Sequence, residues 1–164
     1  MNKNSNKNNN YFRIRTLISS RNFIILLCLI CIVVYINTLF NGFNYDDKHT
    51  IEENNYIKDI NNIQSIFTST YFDASGELSF RPLSTLSYFF NYAIWQLNPF
   101  GYHFFNLIFH TANIILLYFL LKSLIGNKTT SFYISALFAC HPAYSEAVNC
   151  ISYNEELIGA FFFI

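Results

Sequence analysis

Phe40-Asn41-Gly42-Phe43-Asn44-Tyr45-Asp46-Asp47 follows directly on a run from Phe23 to Phe40 that contains no charged residue. The run is 18 residues long, enough to cross roughly 30 Å of hydrocarbon as a helix. Asp46 and Asp47 therefore stand where an apolar segment opens into water. Carboxylates so close to hydrocarbon are costly, and they usually mark function. The plainer alternative is an acidic loop that only ends the span.

The rest of the chain agrees with a membrane setting. Of 164 residues, 52% are hydrophobic and only 12% charged, about half the charge of a soluble domain. Ten basic and ten acidic residues cancel, which argues against nucleic acid as a partner. Lys3, Lys7, Arg13, Arg15 and Arg21 all precede the first acid, Asp46. By the positive-inside rule the N-terminus is cytoplasmic and the aspartate pair lies on the outer side. The long basic segment before the span, with no small-residue cleavage site after it, predicts a retained anchor rather than a signal peptide. Cys28 and Cys31 have C-x-x-C spacing but lie inside the apolar run, where small packing residues are the expected reading.

Read in order, residues 1–22 are a polar, disordered cytoplasmic tail and 23–40 the first transmembrane helix. Residues 41–103 are an outer loop, and up to residue 101 they hold three basic against seven acidic residues. Ile57, Ile60, Ile63 and Phe67 predict a short amphipathic helix. Leu83, Leu86, Phe90, Ile94 and Leu97 line one face of a second helix that starts at Pro82 and lies along the membrane surface. Asn98-Pro99-Phe100-Gly101 breaks it. Residues 104–121 are a second transmembrane helix, 122–131 a basic cytoplasmic turn, and 132–152 a third passage kinked at His141-Pro142. Leu157 to Ile164 begins a fourth, and eight residues cannot complete a crossing. The sequence is therefore expected to be the N-terminal part of a longer protein. Asn127-Lys128-Thr129 matches a glycosylation acceptor, but on the cytoplasmic side.

His103, Asn106, His110 and Asn113 are spaced three, four and three apart, so they form one polar stripe on the second span. Such a stripe faces a cavity or packs against other helices. Asp46, Asp47, His103, His110, His141, Glu146, Glu155 and Glu156 all fall on the outer side, with Arg81 and Lys48 as the strong cations there. Carboxylates near low dielectric suit general-base work on a hydroxyl, and an arginine fork suits phosphate. The histidine and acid spacings do not favour a metal site, and no cofactor is firmly implied.

Phe43-Asn44-Tyr45-Asp46-Asp47, Arg81-Pro82-Leu83, Asn98 to His103 with Asn106 and His110, and His141-Pro142 with Glu146-Ala147-Val148 together resemble a known family. It is the N-terminal membrane region of transmembrane and tetratricopeptide-repeat proteins, glycosyltransferases of the GT-C type similar to protein O-mannosyltransferases. The resemblance runs from about Phe40 to the end. It implies an all-α integral membrane protein, a GT-C-like multispanning bundle with interfacial helices in a long first outer loop. It further implies transfer of a sugar, typically mannose, from a polyprenyl-phosphate carrier to a protein Ser/Thr hydroxyl. Asp46 and Asp47 would be catalytic, one of them the base. Arg81, with the His141/Glu146 loop, would place carrier phosphate and acceptor, and His103 and His110 would line the substrate site. Members often carry a basic residue after the Ile-Ser that is here Ile151-Ser152, whereas this chain reads Tyr153-Asn154-Glu155-Glu156. The family's C-terminal repeats are absent from these 164 residues, and the fragment alone is expected to be inactive. The competing reading is a non-catalytic membrane scaffold whose C-terminal repeats bind partner proteins. Between membranes, the sequence favours a bacterial inner membrane over the endoplasmic reticulum.

Overall fold

The computed structural model describes residues 19–68, 71 and 80–164. The basic residues of the N-terminal tail before Arg21, and Asp73 and Glu77, lie outside the described residues. Among those described there are helices and turns but no strand.

Helix α1 (Ser20–Tyr35) starts three residues before the predicted span, with the Ser19 hydroxyl accepting the Arg21 N–H. It continues as a 3₁₀ segment, Ile36–Phe40. Phe23, Leu27, Cys31 and Tyr35 are buried, a strict four-residue stripe that faces the other helices. Ile25, Leu29 and Val33 stay exposed on the opposite side. All four cysteines are free, and Cys31 packs with Leu27, Ile114 and Tyr118.

The segment after Asp47 makes a single π turn (Lys48–Glu52) and a 3₁₀ stretch (Ile60–Phe67). Helix α2 (Pro82–Trp95) opens on the proline, as predicted. Its inner face is mixed, with Tyr88 and Phe89 in the core and Leu86 of the predicted apolar face packed against it. Ser84, Thr85, Ser87 and Asn91 are buried, while Leu83, Phe90 and Ile94 are exposed. Small polar residues let α2 sit close to its neighbours, and the rest of the predicted apolar face is left outward.

Gln96 ends α2 with φ +52°, and the Asn98 side chain caps helix α3 (Pro99–Ile125) by accepting the Phe100 N–H. At this corner Gly101 lies under the Trp95 indole. A Cβ there would fall 2.0 Å from Trp95 Cγ, the root of the ring and not a movable tip. Gly101→Ala is therefore expected to cost about 1–3 kcal/mol, read as a lower unfolding temperature of the purified protein in detergent.

Helix α3 is the centre of the assembly. It packs against α1, α2, α4 (Lys128–Ala139) and α6 (Asn154–Phe163). Gly126 closes it with φ +69°, and the Asn127 side chain caps α4 by accepting the Thr129 and Thr130 N–H groups. The acceptor-motif asparagine is thus a helix cap. Helix α4 ends at Ala139, and a 3₁₀ turn (Pro142–Tyr144), the short α5 (Ser145–Asn149) and a second 3₁₀ turn (Ile151–Tyr153) lead into α6. The passage expected over 132–152 is therefore a helix of 12 residues followed by a chain of short turns. Two helical stretches, Ser20–Phe40 and Pro99–Ile125, are long and apolar enough to cross a membrane.

Candidate active site

The polar stripe of α3 is wholly buried, and most of it is occupied by backbone. The Asn106 amide donates to the Cys150 carbonyl at 3.3 Å and lies 3.5 Å from that of Ala147. The Asn113 amide donates to the Leu157 carbonyl at 2.8 Å. These carbonyls belong to the broken segment, whose interrupted helix leaves acceptors that must be satisfied away from water. His103 joins a different pair of elements. Its Nε2 faces the Gly42 carbonyl at 3.4 Å, and that oxygen can only accept, so Nε2 carries the proton. Nδ1 then accepts from the Thr38 hydroxyl at 3.2 Å. His110 packs edge-on against Tyr35, with its Nε2 buried and unpartnered. Both histidines are thus enclosed among the helices rather than open to a solvent-filled space.

The two aspartates have unlike surroundings. Asp47 is 0% exposed, and both of its oxygens are taken. Oδ1 accepts the Ser152 N–H at 2.8 Å and the Ser152 hydroxyl at 2.6 Å, with the Cys150 thiol 3.6 Å away. Oδ2 accepts the Asn44 N–H at 3.0 Å, while the Asp47 N–H returns to the Asn44 carbonyl. Asp47 therefore ties the first loop to the segment after α5. Asp46 is exposed, and its carbonyl accepts the Thr50 N–H at 2.9 Å, with the Thr50 hydroxyl oxygen also 2.9 Å away. The turn that sends these neighbours opposite ways contains Tyr45 at φ +47°. A bulky residue is rarely held there, and the cost is of order 1 kcal/mol or more.

A cleft of about 450 Å³ lies between the two segments, lined by Asn41, Asn44, Tyr45, Glu146, Cys150 and Tyr153 among others. Asp46 is outside that lining and follows directly on Tyr45, which belongs to it. The Asp46 charge is the main cause that pushes the Tyr153 phenol above the usual tyrosine range, followed by Cys150 and then Glu146. The cleft is thus polar, acidic and open. An exposed carboxylate next to such a cleft can take a proton from a hydroxyl brought to it. Among the described residues, no group of three or more His, Cys, Asp and Glu side chains is placed to hold a metal ion.

Arg81 lies apart from this cleft's lining. It forms an ion pair with Glu155 at 2.5 Å, with side chains 42% and 26% exposed. Burial raises the Glu155 carboxyl above its ordinary range by more than Arg81 lowers it. A partly exposed pair of this kind contributes little to stability. Glu155→Gln is expected to leave stability within about 1 kcal/mol of wild type, measured by chemical unfolding. His141 is exposed, and its Nδ1 accepts the Ala143 N–H at the start of the 3₁₀ turn. Of the residues expected at the site, the structure brings together the Asp46–Asp47 turn and Glu146. It sets Arg81 on Glu155 and encloses His103 and His110 in the helix packing. Ser152, Thr50, Asn44 and Tyr153 were not foreseen. The one available signal was a serine following the apolar Cys150-Ile151.

Comparison with known proteins agrees with the resemblance. The chain is 32% identical over 135 residues to the protein O-mannosyl-transferase TMTC3 of Homo sapiens, covering 79% of this chain and 15% of that protein. It is 33% identical over 138 residues to TMTC2 of Mus musculus, with 81% and 16% covered. It is 32% identical over 121 residues to Tmtc1 of Drosophila melanogaster, with 71% and 14% covered. The chain thus spans 14–16% of the length of these relatives. They are animal proteins, and the expected bacterial inner membrane finds no support among them. No family model matches the chain. No solved structure matches it.

Proposed function

The chain is a relative of the TMTC protein O-mannosyl-transferases over most of its own length, and from that premise we propose that it carries the catalytic loop of a GT-C-type glycosyltransferase. The enzyme moves a sugar, mannose in the first instance, from a polyprenyl-phosphate carrier to a Ser or Thr hydroxyl of a protein. The observation that supports the reading is the difference within the aspartate pair, Asp47 buried with both oxygens taken, Asp46 exposed next to Tyr45 of the cleft and acting electrostatically on Tyr153.

In this reading Asp46 takes the hydroxyl proton as the acceptor oxygen bonds to the sugar's anomeric carbon. The bond from that carbon to the carrier phosphate breaks, and the phosphate leaves with the electron pair. Arg81, paired with Glu155 through one nitrogen and outside the cleft's lining, keeps the rest of its fork for the carrier phosphate in this reading. Glu146 on the facing wall orients the acceptor. Helices α1 and α3 cross the bilayer, the segment from α4 to α6 re-enters it, and α2 rests on its outer surface as part of a multispanning bundle. The N-terminus is cytoplasmic and the cleft luminal, in the endoplasmic reticulum rather than a bacterial membrane.

The test is direct. Membranes containing the full-length protein receive a mannose-labelled polyprenyl phosphate and a Ser/Thr-rich acceptor polypeptide, and label on hydroxyl oxygen is expected. Its absence would leave the scaffold reading, which draws on the use of His103, Asn106 and Asn113 as packing contacts.

A further inference from the structure

Ser152 reaches both members of the aspartate pair. Its N–H and hydroxyl hold Asp47 Oδ1 at 2.8 and 2.6 Å. Its hydroxyl oxygen lies 3.0 Å from the Thr50 hydroxyl, which in turn is 2.9 Å from the Asp46 carbonyl. With the Ser152 proton given to a carboxylate, the stronger acceptor, its oxygen accepts the Thr50 hydroxyl proton, and Thr50 keeps its hold on the Asp46 carbonyl through its backbone N–H at 2.9 Å. One side chain thus fixes the carboxylate of one aspartate and, through a single neighbour, the backbone of the other. All of this lies beside Tyr45, whose φ of +47° persists only if its surroundings hold it. Ser152 is itself 3% exposed, and its carbonyl accepts from the Tyr88 hydroxyl of α2 at 3.4 Å. Its position is therefore set from a third direction.

We infer that Ser152 is a positioning residue for the proposed reaction, a latch that holds the Asp46–Asp47 turn in the geometry that presents Asp46 to the cleft. This rests on the functional reading above only for its kinetic consequence. The latch does not touch substrate. It acts through Asp47 and Thr50, and losing it lets the turn relax without emptying the site of its carboxylates.

The experiment has one arm that needs no activity. Hydrogen exchange of the full chain in lipid nanodiscs reports the amides of residues 44–50, where the Asp47 N–H bonds Asn44 and the Thr50 N–H bonds Asp46. Ser152→Ala is expected to speed their exchange about tenfold, with helix α3 unchanged. In the transfer assay the same variant is expected to lower kcat about 100-fold, the scale of a misplaced reacting group, with KM for the carrier sugar unchanged. Ser152→Thr, which keeps the hydroxyl, is expected to recover most of both effects.

Wild-type exchange at 44–50 in Ser152→Ala would overturn the inference. So would kcat and KM moving together, or a threonine variant no better than alanine. Should Ser152→Ala unfold as a whole, Thr50→Val removes only the second arm, and unchanged exchange at Thr50 would refute the latch. Wild-type protein that transfers no sugar defeats the functional reading, while the exchange arm still decides the latch.

Discussion

Asp46→Asn is expected to reduce sugar transfer by roughly 100- to 10,000-fold, the worth of a positioned general base, while leaving the unfolding temperature near wild type. The reasoning rests on exposure. The Asp46 carboxylate lies at the surface, and its contacts to Thr50 are made by its backbone carbonyl. Asparagine keeps that carbonyl and nearly the same shape but cannot take a proton. Transfer kinetics on the reconstituted protein, paired with thermal unfolding of the same sample, check the two halves together. Retained transfer would remove Asp46 from the mechanism. Lost stability would show that the side chain has structural work not visible in its contacts.

Asp47→Leu is expected to do the reverse at first sight, destabilising the fold by about 3 kcal/mol or more. The Ser152 N–H and hydroxyl and the Asn44 N–H all point at the Asp47 carboxylate. Leucine would strand the two buried Ser152 donors and take the partner of the Asn44 N–H, which lies nearer the surface. Each buried donor left without a partner costs about 1–3 kcal/mol. Activity should fall as well, because the turn carrying Asp46 is held from this point. Denaturant unfolding separates the two variants: the midpoint moves for Asp47→Leu and stays for Asp46→Asn. Equal midpoints would mean that the buried carboxylate is not the fastening point.

Much of the architecture could be read from local signals. Charge-free runs located α1 and α3. Pro82 marked a helix start; Pro99, read as a break, in fact opens α3, and Pro142, read as a kink, opens a 3₁₀ turn, while Gly126 sits at a helix end because a residue without Cβ enters the left-handed region freely. The spacing of Leu83, Phe90 and Ile94 identified an apolar face of α2. That this face points away from the protein follows from Ser84, Ser87 and Asn91 on the other side, which offer close approach.

The unlike fates of Asp46 and Asp47 could not be read this way. Adjacent residues of the same chemistry differ here because Tyr45 turns the chain, and because Ser152 meets only one of them across a separation of 105 residues. Spacing likewise revealed the stripe from His103 to Asn113, but its partners are carbonyls of a segment some 44 residues further on. Arg81 looked like an available cation until Glu155, itself remote in sequence, was placed beside it. Non-local pairing is what the one-dimensional pattern lacks.

The tie between Asp47 and Ser152 also has a bearing on when the cleft comes into being. Its two walls are supplied from opposite ends of the folded chain, whereas the contacts within α1 and within α3 close over a few residues. Bringing distant segments together costs chain entropy that local helices do not incur. During synthesis the first wall must wait, unclosed, until everything up to Ser152 has been made and seated against α3. In the finished protein the order reverses, because regions joined by few long-range bonds are the first to open. The cleft is therefore assembled late and released early, and mild denaturant should silence it while the helices around it still stand.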